Sequence, residues 1–203
     1  GARDRAGSRA APPSEPQEPW WDLNWSWRMP LTLNNSDSTE DLKDIPVLVK
    51  LTPERFNYSV ADQSGADMRF FDPQNDTACP YHIEEWNASG DSFVWVNVPW
   101  VGHNTTNLTV WMYYGNPGAA DAQDIPGTYN DGYLGVWHFN ETQGDHQDVT
   151  GNGHDGAPQG SMAQGNGSLI AGCDDFDGAD DWVDMGSSPS FNKKGSVTLE
   201  TWV

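Results

Sequence analysis

The sequence predicts an all-β protein made of two β-sandwich modules. Three observations carry this. Short runs rich in Val, Ile, Trp, Tyr and Phe recur along the chain, the residue types that favour a pleated, half-buried surface. Gly, Pro, Asn and Asp clusters separate them and mark turns. No stretch of a dozen residues sustains the 3.6-residue apolar period of a helix.

The elements follow in order. Residues 1–19 mix Ala, Pro, Ser, Gly and charge without periodicity and read as a flexible or extended tail. Structure is expected from Trp20–Trp21 onward. Met29 to Asn34 alternates, and Ile45 to Leu51 is a strand whose early Pro46 suits an edge. Met68 to Phe71 follows Gly65. In Tyr81 to Trp86, Tyr81, Ile83 and Glu85 alternate with His82, Glu84 and Trp86. Phe93 to Val98 is the strongest strand signal, Leu108 to Tyr114 is the next, and Gly115-Asn-Pro-Gly118 stops it. Trp27, Phe70, Ile83, Trp95 and Trp111 are the expected core of this first module, residues 20–120.

Residues 121–130 read as a linker. A second region, residues 131–203, holds Tyr133 to Phe139, a long Gly/Asp/Asn loop, Ser168 to Cys173, Phe176 to Val183 and Ser196 to Val203. The last is a strand pattern that runs to the final residue given. A sheet ending there would leave an unpaired edge, so closure by residues 20–130 or by strands of a neighbouring subunit is expected.

Charge limits the partners. There are 30 Asp plus Glu against 10 Lys plus Arg, a net charge of −20. The first nineteen residues are balanced, so the acidity belongs to the rest. Such a surface repels nucleic acid and anionic lipid, which need basic patches. No apolar run is long enough to span a bilayer, so no direct membrane insertion by this segment is expected. Eleven Trp and thirteen Phe plus Tyr supply a core despite modest overall hydrophobicity.

The most informative pattern is N-x-Ser/Thr. Nine of fifteen asparagines stand in it: Asn24, Asn34, Asn57, Asn75, Asn87, Asn104, Asn107, Asn140 and Asn166. With 27 Ser plus Thr in 203 residues, chance gives roughly two. The excess points to an extracellular chain that carries N-linked glycans.

Two resemblances add to this. Trp25-Ser-Trp-Arg28, Asp44 to Val49, Asp67-Met-Arg-Phe-Phe-Asp72, Pro80 to Trp86, Phe93 to Pro99 and Val110 to Asn116 resemble, in order, a β-sandwich domain of unknown function in archaeal and bacterial surface proteins. Gly135 to Glu141, Asp148 to Gly153, Phe176 to Val183 and Val197 to Val203 resemble the opening of a laminin-G-like, concanavalin A-like jelly roll. That fold includes glycosidases, which need paired carboxyls about 5 Å apart. The E-x-D-x-x-E arrangement of one such family is absent. Glu84 and Glu85 are adjacent and so point to opposite faces. No enzyme is expected.

Asp174, Asp175, Asp177, Asp180, Asp181 and Asp184 form an acidic run. Asp177, Asp180 and Asp181 around a Gly turn are a candidate calcium site, with ordinary Asp/Gly turn chemistry as the other reading. Laminin-G-like domains often carry structural calcium. Asp148 to Gly153 is not an EF-hand, because its twelfth position is Gln159. Of the histidines, His138 reads as a packed or surface ring, and His146 and His154 as solvated. Cys79 and Cys173 could pair in an oxidising compartment or stand as two buried thiols. Trp20, Trp21 and Trp100 could face solvent and stack on sugars.

These residues imply an extracellular or cell-surface structural or adhesive protein. It would be a filament or surface-layer subunit whose partners are copies of itself, other surface proteins or glycans, with no cofactor required. A carbohydrate-binding module and the extracellular part of a membrane-anchored machine are the alternatives.

Overall fold

The computed structural model describes residues 20–73, 76–129, 132–167 and 169–201. Among these, ten strands account for nearly all regular structure: β1 Trp27–Leu33, β2 Leu42–Leu51, β3 Arg69–Phe71, β4 Tyr81–Glu85, β5 Ser92–Val101, β6 Leu108–Tyr114, β7 Ala157–Gln159, β8 Ala163–Gly167, β9 Gly172–Asp175 and β10 Trp182–Asp184. One short helix, α1 Ile125–Thr128, and two 3-10 turns complete the set. The all-β expectation holds. No helix among the described residues is long and apolar enough to cross a membrane.

The first six strands form two three-stranded antiparallel sheets, ordered β1-β6-β3 and β2-β5-β4. Alternation decides what lies between them. Val94, Val96 and Val98 of β5 meet Val110, Met112 and Tyr114 of β6 in one cluster with Leu51, Phe56, Met68, Phe70 and Tyr81. Met112 and Val94 are wholly buried. Pro30 and Pro46 lie on β1 and β2, the edge strands of their sheets, where a missing N–H costs no ladder bond and discourages further pairing.

Parity corrects the expected core. Phe70 is 1% exposed, and Ile83 packs against the cluster. Trp95 and Trp111 have the opposite parity to the valines and cover the outer faces. Trp95 lies beside Tyr129 and His138. Trp111 lies under the Arg28 guanidinium, 4.0 Å from the ring centroid. Trp27 is 49% exposed, because it opens β1 beyond the reach of the core. Its ring instead closes on Gly115, where a Cβ would come within 2.6 Å of it. Gly115 also has φ of 85°, so a side chain is excluded twice over.

Both outer faces are roofed. Trp20, Trp21 and Trp25 pack on Phe71 and Tyr113 over the β1-β6-β3 sheet. The segment expected as a linker is docked on the other sheet. The Gln123 side chain accepts from Ile83 N at 2.6 Å and Asp124 N donates to Tyr81 O at 3.1 Å, which closes the free edge of β4. Asp124 then caps α1 through Gly127 N.

Residues 132–201 differ from the expected second sandwich. They form two two-stranded sheets, β7-β10 and β8-β9. Tyr133 to Phe139 and Ser196 to Thr201 join no ladder. Val197 and Leu199 stay 62% and 91% exposed. The alternation of Ser196 to Thr201 is a strand pattern, but no pairing edge meets it among the described residues.

Candidate functional site

Most of the sequons in the described residues lie where an enzyme from solvent could reach them. Asn24, Asn34, Asn57, Asn87, Asn104, Asn107 and Asn166 are exposed, and Asn140 is half-buried. Asn75 lies outside the described residues. Seven of these eight stand before, between or after strands, and Asn166 is on β8. Turn chemistry explains the placement. Asn34 Oδ1 accepts from Ser36 N at 2.8 Å, Asn57 Oδ1 from Ser59 N at 3.1 Å, and Asn87 Oδ1 from Ser89 N at 3.0 Å. In each, the sequon's own third residue closes an Asx turn. The carbonyl oxygen is thereby engaged, and the amide nitrogen, the atom that carries a glycan, takes no part in the turn. Asn104 reaches the same end by a left-handed backbone, φ 59°, which Asn tolerates. Asn34, Asn104 and Asn107 share one end of the sandwich, where Asn35 N donates to Thr105 O.

The acidic run divides. Asp177, Asp180 and Asp181 bring carboxylate oxygens within 4.8 Å of one another. Asp181 already accepts from Ser161 N and Asp177 N, and Asp177 from Ala179 N, so these groups serve the turn around Gly178. Asp174 turns inward and is buried. Asp148 organises its own loop, accepting from Val136 N, Thr150 N, Thr150 Oγ1 and His154 N. Burial would raise its pKa, but these hydrogen bonds hold it below the usual value.

Cys79 and Cys173 are free thiols. Cys79 is built into the sandwich core, while Cys173 lies on β9 in the other region, which corrects the pairing. Burial, then Asp72, pushes the Cys79 thiol up to about 12, so it is inert as a nucleophile. Trp20 and Trp21 are half-buried in the aromatic roof. Trp100 is 48% exposed.

Two buried histidine–carboxylate clusters stand out beyond the residues the sequence singled out. The first joins the two regions. On the outer face of β4, Glu84 is 2% exposed and lies 3.2 Å from His138 Nδ1. Trp95 Nε1 also donates to Glu84. Tyr129 Oη lies 3.0 Å from His138 Nε2 and 3.3 Å from His82 Nδ1. Burial, reinforced by His138, pulls His82 down to about 4. Burial pushes Glu84 up, but the hydrogen bonds and charges around it outweigh that and leave it below its ordinary value. An anionic carboxylate, neutral His82 and an un-ionised Tyr129 therefore share one dry pocket. The alternation of His82 and Glu84 signalled their common face; nothing local pointed to His138 as their partner.

The second cluster corrects His146, read as solvated. It is wholly buried, with Nδ1 3.0 Å from Glu141 Oε2 and Nε2 2.9 Å from Asp174 Oδ2. His154 is engaged as well, 2.7 Å from Ser190 Oγ and with its ring tilted against Phe191 at 4.5 Å between centroids.

Residues 64–152 match a family described as Domain of unknown function (DUF2341). No curated protein and no solved structure matches the chain. The matched stretch begins after β2, runs through β3 to β6 and α1, and continues past His138 and His146. It thus crosses the expected boundary at 121–130, in keeping with the docking of that segment on β4.

Proposed function

We propose that this chain is part of an extracellular, N-glycosylated surface protein with a structural or adhesive role, as a subunit of a filament or surface layer. The observation that carries the reading is the sequon set. Eight sequons lie in described residues, seven of them exposed, against roughly two expected by chance over the whole chain. The net charge of −20 adds a hydrated coat that resists collapse onto anionic surfaces. The resemblance to surface-protein domains points the same way.

The physical logic is that of a rigid, shielded spacer. Glycans at both ends and along the rim would cover loops while leaving strand edges to the prolines of β1 and β2. Partners are then other copies or other surface proteins. A second reading, a carbohydrate-binding module, draws on the exposed Trp100 ring, since an exposed indole face can stack on a sugar.

Cell-surface placement is tested on intact source cells. Mild external protease should remove this protein while a cytoplasmic marker survives, and electron microscopy of shed material should show it in assemblies. Protection from external protease until the cells are lysed contradicts the proposal. Glycan-array binding abolished by Trp100→Ala would move the assignment to the second reading.

A further inference from the structure

Residues 132–201 bury no large apolar side chain among those described; apart from Gly156, the residues they bury are His146, Asp148 and Thr150. A small region without an apolar core needs another source of cohesion, commonly a disulfide or a metal. Both cysteines are free. At the centre lies His146, with Asp174 against it, both side chains fully enclosed. Asp174 is also anomalous. Its Oδ2 is 2.9 Å from His146 Nε2 and the Gly165 backbone N–H acts on it, yet neither carboxylate oxygen accepts a well-aligned hydrogen bond. A carboxylate so poorly satisfied in such a place is costly.

We propose that His146 Nε2 and the Asp174 carboxylate bind a divalent transition-metal ion. The surroundings fit. Metal-bound histidines usually donate their other ring N–H to a carboxylate, which fixes the tautomer. Here Glu141 Oε2 meets Nδ1 at 3.0 Å, and Glu141 is itself held by Gln147 N at 2.9 Å. The Nε2 lone pair is thereby freed toward Asp174. The Gln164 amide lies 3.2 Å from Nε2, with its nitrogen donating to Gly144 O. That amide is committed to Gly144, so water would complete the shell. At metal–ligand distances of about 2.1 Å, the 2.9 Å separation subtends roughly 90°, an edge of a five- or six-coordinate shell. Imidazole with carboxylate suits zinc and its neighbours better than calcium. This proposal is independent of the glycan reading.

The test uses the whole purified chain, stripped with chelator and titrated with Zn²⁺ alone. Calorimetry and elemental analysis should give one tightly held zinc per chain, and the His146 ring resonances should shift in the nuclear magnetic resonance spectrum. Asp174→Asn and His146→Gln should each weaken binding by at least roughly tenfold, whereas Asp177→Asn with Asp181→Asn should leave the stoichiometry unchanged. Because a substitution inside the cluster can unfold the region, the unaltered chain decides. No zinc retained at micromolar concentration overturns the proposal and leaves a shared proton between Asp174 and His146. Zinc that shifts His103 or His154 but not His146 overturns it equally.

Discussion

At the scale of single residues, buried carboxylates fix this molecule. Asp67 is wholly buried. Its Oδ2 accepts from Gly115 N at 2.6 Å and Asn116 N at 3.0 Å, and its Oδ1 from Asp62 N at 3.0 Å. Its own carbonyl accepts from Trp25 Nε1. One side chain thus ties the loop before β3 to the turn after β6. Asp67→Ala leaves three N–H groups without their acceptor, each loss costing about 1–3 kcal/mol. The variant should lose about 3 kcal/mol or more in denaturant unfolding. A loss under 1 kcal/mol would contradict this role. The Glu84 pocket sets the acid limit. His82 is depressed in the folded chain, so its contribution is present above about 6.5, its ordinary value, and fades as the pH falls through about 4. Glu84, also depressed, works in the same direction. The melting temperature should fall as the pH drops from 6.5 to 4, and His82→Phe should flatten that fall. An unchanged slope in the variant would place the acid sensitivity elsewhere.

At the scale of elements, the strands of the first region were legible and the facing of their tryptophans was not. Phe93 to Val98 is apolar at almost every position, because both faces of β5 are covered, one by the core and the other by Tyr129 and His138. A strand buried on both faces gives no alternation from which to read parity. The same holds for Val110 to Tyr114. The pairing registers Val96↔Val47 and Met112↔Met29 reveal the inner set. Met112→Ala, in the centre of the core, should therefore cost about 2–5 kcal/mol, while Trp27→Ala at the strand end should cost clearly less. Equal losses in thermal or chemical unfolding would undo this assignment. The docked segment 121–129 was hidden for another reason. Its contacts are the Gln123 amide and Asp124 N–H on β4, the Asn97 amide on Thr128 O and the Tyr129 ring beside His82 and Trp95, none of which leaves a periodic trace in sequence.

At the scale of the whole molecule, two regions follow different rules. Residues 20–129 hold an apolar core with both sheets roofed. Residues 132–201 are organised by polar clusters around His146 and Asp148. Composition showed the acidity and the aromatic load but not this division. The partners in the second cluster, Glu141, His146 and Asp174, are separated by loops whose closure depends on glycine turns. The sequons were fully legible, because the acceptor pattern is local. The exposure of seven of the eight described sites was not, since it depends on each of them falling outside the core. That set carries the central claim, and the most direct measurement is the intact mass of the protein from its native source, before and after glycan removal. Occupancy of most of the nine sites, with Asn34, Asn87, Asn104 and Asn140 among them, is the predicted result. Fewer than about three occupied sites, no more than chance pairing would supply, would contradict the account.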